Sequence, residues 1–290
     1  VIGALAAGQV AFASFAQATP AAALEFVSTD YDGLVFETEH NPWDVLQLRD
    51  ALQYLLNRRQ IFAADSLAPA RTPLVRIPVN GAEKGQWHAK QALDLGAFGI
   101  VWPHIATVEQ AANAVAACRY PTLPDHPRHR PAGERGDGPN AAARYWGLSN
   151  PQYYARADVW PLAPDGEILV VIMIEDQAGI QNLPAMLDQV PGIGLVLIGE
   201  GDLSQELGIP RQYEHPRLMA CKQKVLDICA ERGVAVGHPH VTAANVESVL
   251  ADGYRFLMSM PVRSYPGLER GRELARAHSL ELPLELQGRS

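Results

Sequence analysis

Glu37, Glu39 and His40 fall within four positions of GLVFETEHNPWD, residues 33–44, where an apolar run turns acidic. Other short apolar runs end in the same way. IMIED closes on Glu175-Asp176, and LIGEGD runs into Gly199-Glu200-Gly201-Asp202. LVRIP carries Arg76, IVWPHI reaches Pro103-His104, and VAVGHPHV holds His238 and His240. Glu175 and Asp202 offer hard oxygen donors, and two carboxylates with waters and substrate oxygens suit Mg²⁺ or Mn²⁺. Zinc held by thiolates is excluded, because Cys118, Cys221 and Cys229 form no CxxC pair. A metal with open positions takes the carboxylate and ketone oxygens of a 2-oxo acid, polarising the carbonyl and stabilising an enolate. The other route to that chemistry is a lysine Schiff base. The four lysines, Lys84, Lys90, Lys222 and Lys224, lie in helical-looking stretches and none ends an apolar run, which favours the metal.

Each of these residues also has a plainer reading. A single histidine at the end of a strand is commonly a structural hydrogen-bonder. Arg76 alone suits a buried ion pair. His238 and His240 share one face of an extended chain, where they suit either a metal or the polar filling of a strand end. The weight lies in the convergence of two carboxylates, one arginine and one histidine from separate runs.

Something must bring those ends together. Eight stretches rich in Val, Ile and Phe read as strands: 10–16, 31–38, 73–79, 99–105, 167–175, 193–199, 234–241 and 254–260. Amphipathic stretches alternate with them. PWDVLQLRDALQYLLNRR has Pro42 in a first-turn position, and TVEQAANAVAACR has Thr107 as its N-cap. Eight strands, most followed by a helix, in 290 residues predict an α/β chain folded as one (β/α)8 barrel, for which about 250 residues is typical. Such barrels gather their active sites at the C-terminal ends of the strands. That explains why the second strand turns charged as it finishes.

One segment breaks the alternation. Residues 120–147, YPTLPDHPRHRPAGERGDGPNAAARYWG, are rich in Pro, Gly, His and Arg. A loop of this length is commonly functional or disordered. The expectation is a lid above the C-terminal face, with Arg128, Arg130, Arg135 and Arg144 available to an anionic substrate.

A formal net charge of −8 argues against nucleic acid as the partner. No apolar run reaches the roughly 18 residues of a membrane span. The first 24 residues carry no charge before Glu25, and FAQA near Ala18 resembles a leader cleavage site. Without a basic start the stretch reads instead as a short helix, a turn at Gly8 and a strand. Three cysteines suit reduced thiols and a cytoplasmic protein.

Taken together, FETEHNP, LVRIP, ALDLGAFGIVWPHIATVEQA, ARYWG, IMIED and LIGEGDLSQELG resemble the HpcH/HpaI-type metal-dependent 2-oxo-acid aldolases, a branch of the phosphoenolpyruvate/pyruvate barrel superfamily. The resemblance covers about residues 3 to 264. It implies that Glu175 and Asp202 hold a divalent metal, Mg²⁺ or Mn²⁺ with Co²⁺ also compatible. It implies that Arg76 stabilises the enolate oxygen. His40 is then the general base, acting through a water on the metal, with Asp94 of ALDLGA as its dyad partner. Gly201 offers a backbone N–H to the substrate carboxylate. The substrates implied are a 2-oxo acid and an aldehyde, and the implied assembly is a homo-oligomer, hexamer or trimer, with the last helix exchanged between barrels.

Four features depart from the family pattern. Met173 stands where a Gln is common, Glu200 stands in a GEGDLS that the family often writes GPADLS, His238-Pro-His240 replaces a small apolar turn, and the 120–147 segment is long. The expected activity is a class II aldolase cleaving or forming a 4-hydroxy-2-oxo acid through a pyruvate enolate. The competing readings are a 2-oxo-acid decarboxylase or enolate C–C bond-forming enzyme, as in a related fungal enzyme, and a non-catalytic binding barrel.

Overall fold

The structure is a computed structural model and describes residues 1–64, 68–259 and 266–281. All eight expected strands are present: β1 (Ala11–Gln17), β2 (Gly33–Glu37), β3 (Thr72–Arg76), β4 (Gly99–Trp102), β6 (Ile168–Ile174), β7 (Leu195–Ile198), β8 (Ala235–His238) and β9 (Phe256–Ser259). A two-residue strand, β5 (Val159–Trp160), pairs with the outer start of β6. Every pairing is parallel. The order β4-β3-β2-β1-β9-β8-β7-β6 closes on itself through β4 and β6, giving a (β/α)8 barrel. Met260 and residues 282–290 fall outside the described residues, so the last position of the expected eighth run is not placed.

Strand alternation divides the core in two. Ala13, Val35, Leu74, Val101, Val171, Met173, Leu197, Phe256 and Met258 face into the barrel. Their chain neighbours, such as Leu34, Val75, Ile172 and Val196, face the surrounding helices. The first helix, Ile2–Ala6, closes the N-terminal end of the barrel. Leu5 joins the interior cluster, and the Val1 backbone nitrogen donates to Thr72 Oγ1 at 3.2 Å. Gly8 takes the left-handed turn that leads into β1, as the sequence implies.

Local signals hold with one adjustment. Thr107 caps Val108–Ala117, and Gln110 completes the capping box. Pro42, by contrast, precedes its helix. The cap is Asp44, whose Oδ1 accepts the N–H groups of Leu46 and Gln47 at 3.0 Å each, so the helix begins at Val45. The described part of the last helix, Pro266–Glu281, lies on its own barrel, with Arg272 donating to Asp32 at 3.2 Å and covering the Phe12 ring.

The 120–147 segment does not rise over the mouth of its own barrel. It begins where the helix Val108–Ala117 has returned to the N-terminal rim. Glu134 and Arg135 donate backbone N–H groups to the carbonyls of Ala116 and Arg119. The Trp146 indole donates to Gly96 O at 2.9 Å, just before β4. Arg135 is buried, donating to Asp94 Oδ1 and to Tyr153 at 2.8 Å each, beneath the Tyr120 ring. Within one chain the segment forms a strap along the outer helices instead of a cover over its own mouth. The physical reason is connectivity: an insertion after a helix and before a strand leaves from the rim opposite the active-site mouth.

Candidate active site

Strand parity sets the inner residues of the mouth. Val35 faces inward, so Glu37 and Glu39 do too; Leu74 carries Arg76, Met173 carries Glu175, and Leu197 carries Gly199. Glu37 and Arg76 are register partners across β2 and β3, and their side chains form an ion pair. Glu37 also accepts the backbone N–H groups of Glu39 and His40, at 2.7 and 3.2 Å, which folds the turn after β2 back over the mouth. Arg76 reaches Glu39 Oε2 at 2.9 Å, rests on the Phe15 ring at 4.6 Å, and touches Met173 Sδ at 3.8 Å. The departure at Met173 thus gives Arg76 an apolar, polarisable neighbour.

Glu175 is only 3% exposed, and burial pushes its carboxyl up to about 7. It accepts the backbone N–H of His104 at 2.7 Å. The His104 ring stands between two acids, its Nδ1 3.7 Å from Glu175 and its Nε2 3.5 Å from Glu39. Glu39 above all, against an opposing effect of burial, raises the His104 imidazole to about 9. For Glu39, burial acts upward but is outweighed by His104, Arg76 and His40, so its pKa is lowered. His104 adopts φ +52°, an uncommon conformation for a non-glycine residue; its N–H meets Glu175 and its ring stands between Glu175 and Glu39.

Glu39, His104 and Glu175 each present a ligand atom within 4.8 Å of the others. The buried Glu39 Oε2 lies close to Arg76 and yet accepts no hydrogen bond. Two carboxylates and an imidazole this close together, one of the acids raised by burial, form a donor set able to hold a cation. The donors are carboxylate oxygens and one imidazole, which suits Mg²⁺, Mn²⁺ or Co²⁺. Asp202 lies exposed in the first turn of the helix Glu200–Glu206, and its charge acts on both Glu175 and His104. Gly201 precedes it with open space on its Cα, and first-turn N–H groups have no partner within the helix.

The expected residues are not all gathered here. Glu175, Asp202, Gly201 and Arg76 belong to the mouth. His40 stands exposed at its rim, with Nε2 3.7 Å from Glu39 Oε2. Asp94 does not join His40 within this chain. It ends the helix Gln86–Asp94 on the opposite rim, where Arg135 takes its carboxylate. Within one chain the acid beside His40 is Glu39. Glu200 also turns away from Glu175. It accepts Lys222 Nζ at 2.5 Å and His240 Nδ1 at 2.7 Å, with His238 Nε2 at 3.5 Å. Burial would raise Glu200, but His240, His238 and Lys222 bring it down to about 2, while burial takes His238 down to about 4. His238 and His240 are therefore partners of a carboxylate outside the barrel wall. Glu39 and His104 were visible at strand ends, but their meeting with Glu175 depends on the β4–β6 closure, which no local signal displays.

The fold and mouth define a (β/α)8 barrel with an arginine and a cluster of acidic residues and histidine at the C-terminal ends of its strands. Comparison with known proteins agrees: residues 12–259 match the HpcH/HpaI aldolase/citrate lyase family, and the chain belongs to that enzyme family. It is 31% identical over 227 residues to a hydroxypyruvate/pyruvate aldolase of Roseobacter denitrificans, covering 78% of this chain and 76% of that one. It is 32% identical over 236 residues to a 2-keto-3-deoxy-L-rhamnonate aldolase of Salmonella schwarzengrund, covering 79% and 74%. Among solved structures, a HpcH/HpaI aldolase/citrate lyase family protein from Burkholderia cenocepacia superimposes with a TM-score of 0.71 at 26% identity, over 95% of this chain and 94% of that one.

Proposed function

We propose that this enzyme is a divalent-metal-dependent carbon–carbon lyase that cleaves or forms a 4-hydroxy-2-oxo acid by way of a pyruvate enolate. The observation that carries the reading is the juxtaposition of Arg76 with Glu39, His104 and Glu175 at one barrel mouth. The names of the aldolase relatives support the same class. Glu175 and Asp202 would hold the metal, with Glu39 and His104 beside it. When bound, the metal supplies Lewis-acid polarisation of the 2-oxo group.

The chain's own residues do the rest. Arg76 is fixed from below by Glu37 and from the side by Glu39, so its charge is already oriented when negative charge develops on the substrate oxygen. The Gly201 N–H binds the substrate carboxylate. His40 is reachable from solvent at the rim, and imidazole is suited to taking the 4-hydroxyl proton near neutral pH. Glu39 orients that ring. Breaking the C3–C4 bond releases the aldehyde, and protonation of the enolate gives pyruvate. A homo-oligomer, hexamer or trimer, belongs to the same proposal, and the exposed Leu46, Tyr54 and Phe62 are consistent with it.

The test is a pair of rates, aldol cleavage and oxaloacetate decarboxylation, at saturating Mn²⁺. Arg76→Ala is expected to damage both, because both pass through the same oxyanion. His40→Ala is expected to slow cleavage by roughly 10²- to 10⁴-fold and to spare decarboxylation, which removes no hydroxyl proton. If wild type released pyruvate from neither a 4-hydroxy-2-oxo acid nor oxaloacetate, the reading would fall.

A further inference from the structure

Glu200 occupies the first position of the helix Glu200–Glu206, two residues before Asp202. Its surroundings come from three other places in the chain. Lys222 projects from the long outer helix Pro216–Ala230, His238 ends β8, and His240 follows in the next turn. Glu200, Lys222 and His238 are 1%, 6% and 4% exposed. Lys222 Nζ lies 2.5 Å from Glu200 and 3.2 Å from His238 Nε2, so the ammonium bridges the acid and the ring. His240 bonds the second oxygen of Glu200, donates its backbone N–H to His238 Nδ1 at 3.2 Å, and stacks on Tyr213 at 4.9 Å.

Withdrawing a carboxylate and an ammonium from water costs several kcal/mol per ion before pairing returns it. Such a cluster at the first position of a helix needs a reason, and the residue before it supplies one. The N-cap is Gly199, which has no side chain with which to cap. A Cβ at Gly199 would run into the Glu175 carboxylate, so the usual Ser, Thr, Asp or Asn is shut out by the site itself. A seven-residue helix is too short to hold its own start. The first turn, which carries Gly201 and Asp202, must be anchored by something other than a cap.

We propose that the Glu200–Lys222–His238–His240 network is a positioning device that anchors the first residue of this uncapped helix and so holds the Asp202 turn beside Glu175. Its members act through the backbone of residues 199–202, as positioning residues and not as ligands. The proposal rests on the reading of Asp202 as a metal ligand.

The test measures Mn²⁺ affinity of the full chain from the electron paramagnetic resonance signal of free Mn²⁺, alongside the melting temperature of each metal-free protein. Lys222→Met leaves Glu200 buried without its ammonium, so a second variant, Glu200→Gln with Lys222→Met, replaces the pair by neutral groups of similar size. Each folded variant is expected to bind Mn²⁺ at least ~10-fold more weakly than wild type, the usual scale for loss of a supporting partner. A folded variant with a lowered melting temperature but Mn²⁺ affinity within about twofold of wild type overturns the proposal, because that is what a merely structural network would give. Asp202→Asn separates the two levels. If it binds Mn²⁺ like wild type, the ligand assignment fails and the positioning role with it. If it loses Mn²⁺ while the network variants keep it, the positioning role alone fails.

Discussion

At the scale of single residues, the mouth is a problem of charge placed where water is scarce. Glu37, Glu39 and Glu175 crowd one end of the barrel, and Arg76 and His104 are the cations that answer them. The perturbations at Glu175 and His104 have the same sign for stability. Glu175, raised from 4.5 to about 7, holds its proton more tightly in the folded state, so stability declines as pH rises from about 4.5 through 7. His104, raised from 6.5 to about 9, contributes stability that is complete below pH 6.5 and is lost as pH rises through 9. His238, lowered by burial to about 4, acts in the opposite direction between about pH 4 and 6.5. The informative quantity is therefore a difference between variants. In EDTA, the melting temperature of wild type is expected to fall more steeply between pH 7 and 9 than that of His104→Gln. Parallel profiles for the two proteins would show that His104 carries no charge-linked stability.

At the scale of elements, the segment 120–147 stands out by its composition, and within one chain it packs as a strap along the outer helices. Its arginines suggested an anionic substrate, yet Arg135 is spent on Asp94, Tyr153 and Tyr120. Composition reports which charges a loop carries; only the rim from which the loop departs tells what they meet. Arg135→Ala is expected to destabilise the protein by roughly 3 kcal/mol, the scale for removing one partner of a buried ion pair, and to leave KM for the 2-oxo acid unchanged in the folded fraction. Denaturant unfolding and steady-state kinetics on the same preparation check this. A KM raised tenfold with no loss of stability would return Arg135 to substrate binding. The same lesson holds for Glu200. It neighbours Gly201 and Asp202 in sequence, but a position two residues away on a helix points to another side, and Lys222 is there to receive it.

At the scale of the whole molecule, the barrel was legible because its signals are local and repeated: apolar runs of strand length, a cap at Thr107, a turn at Gly8. The strand-end placement of Glu175, Asp202, Arg76 and His40 was legible because each ends or follows an apolar run of strand length. The Glu39–His104–Glu175 convergence was not, since it requires β4 to lie beside β6, a contact made over a separation of about seventy residues. Nor was the fate of Asp94, which depends on a partner forty-one residues ahead inside an irregular strap. Closure of the barrel is what gathers these scattered acids and His104 into one mouth facing Arg76. The most direct measurement is pyruvate release from a 4-hydroxy-2-oxo acid and from oxaloacetate, followed in excess EDTA and again after Mn²⁺ or Mg²⁺ is added back, for wild type, Glu175→Gln and Asp202→Asn. The expected result is loss of turnover in EDTA, recovery in wild type on adding the metal, and little recovery in either variant. Full turnover in excess EDTA would contradict the account.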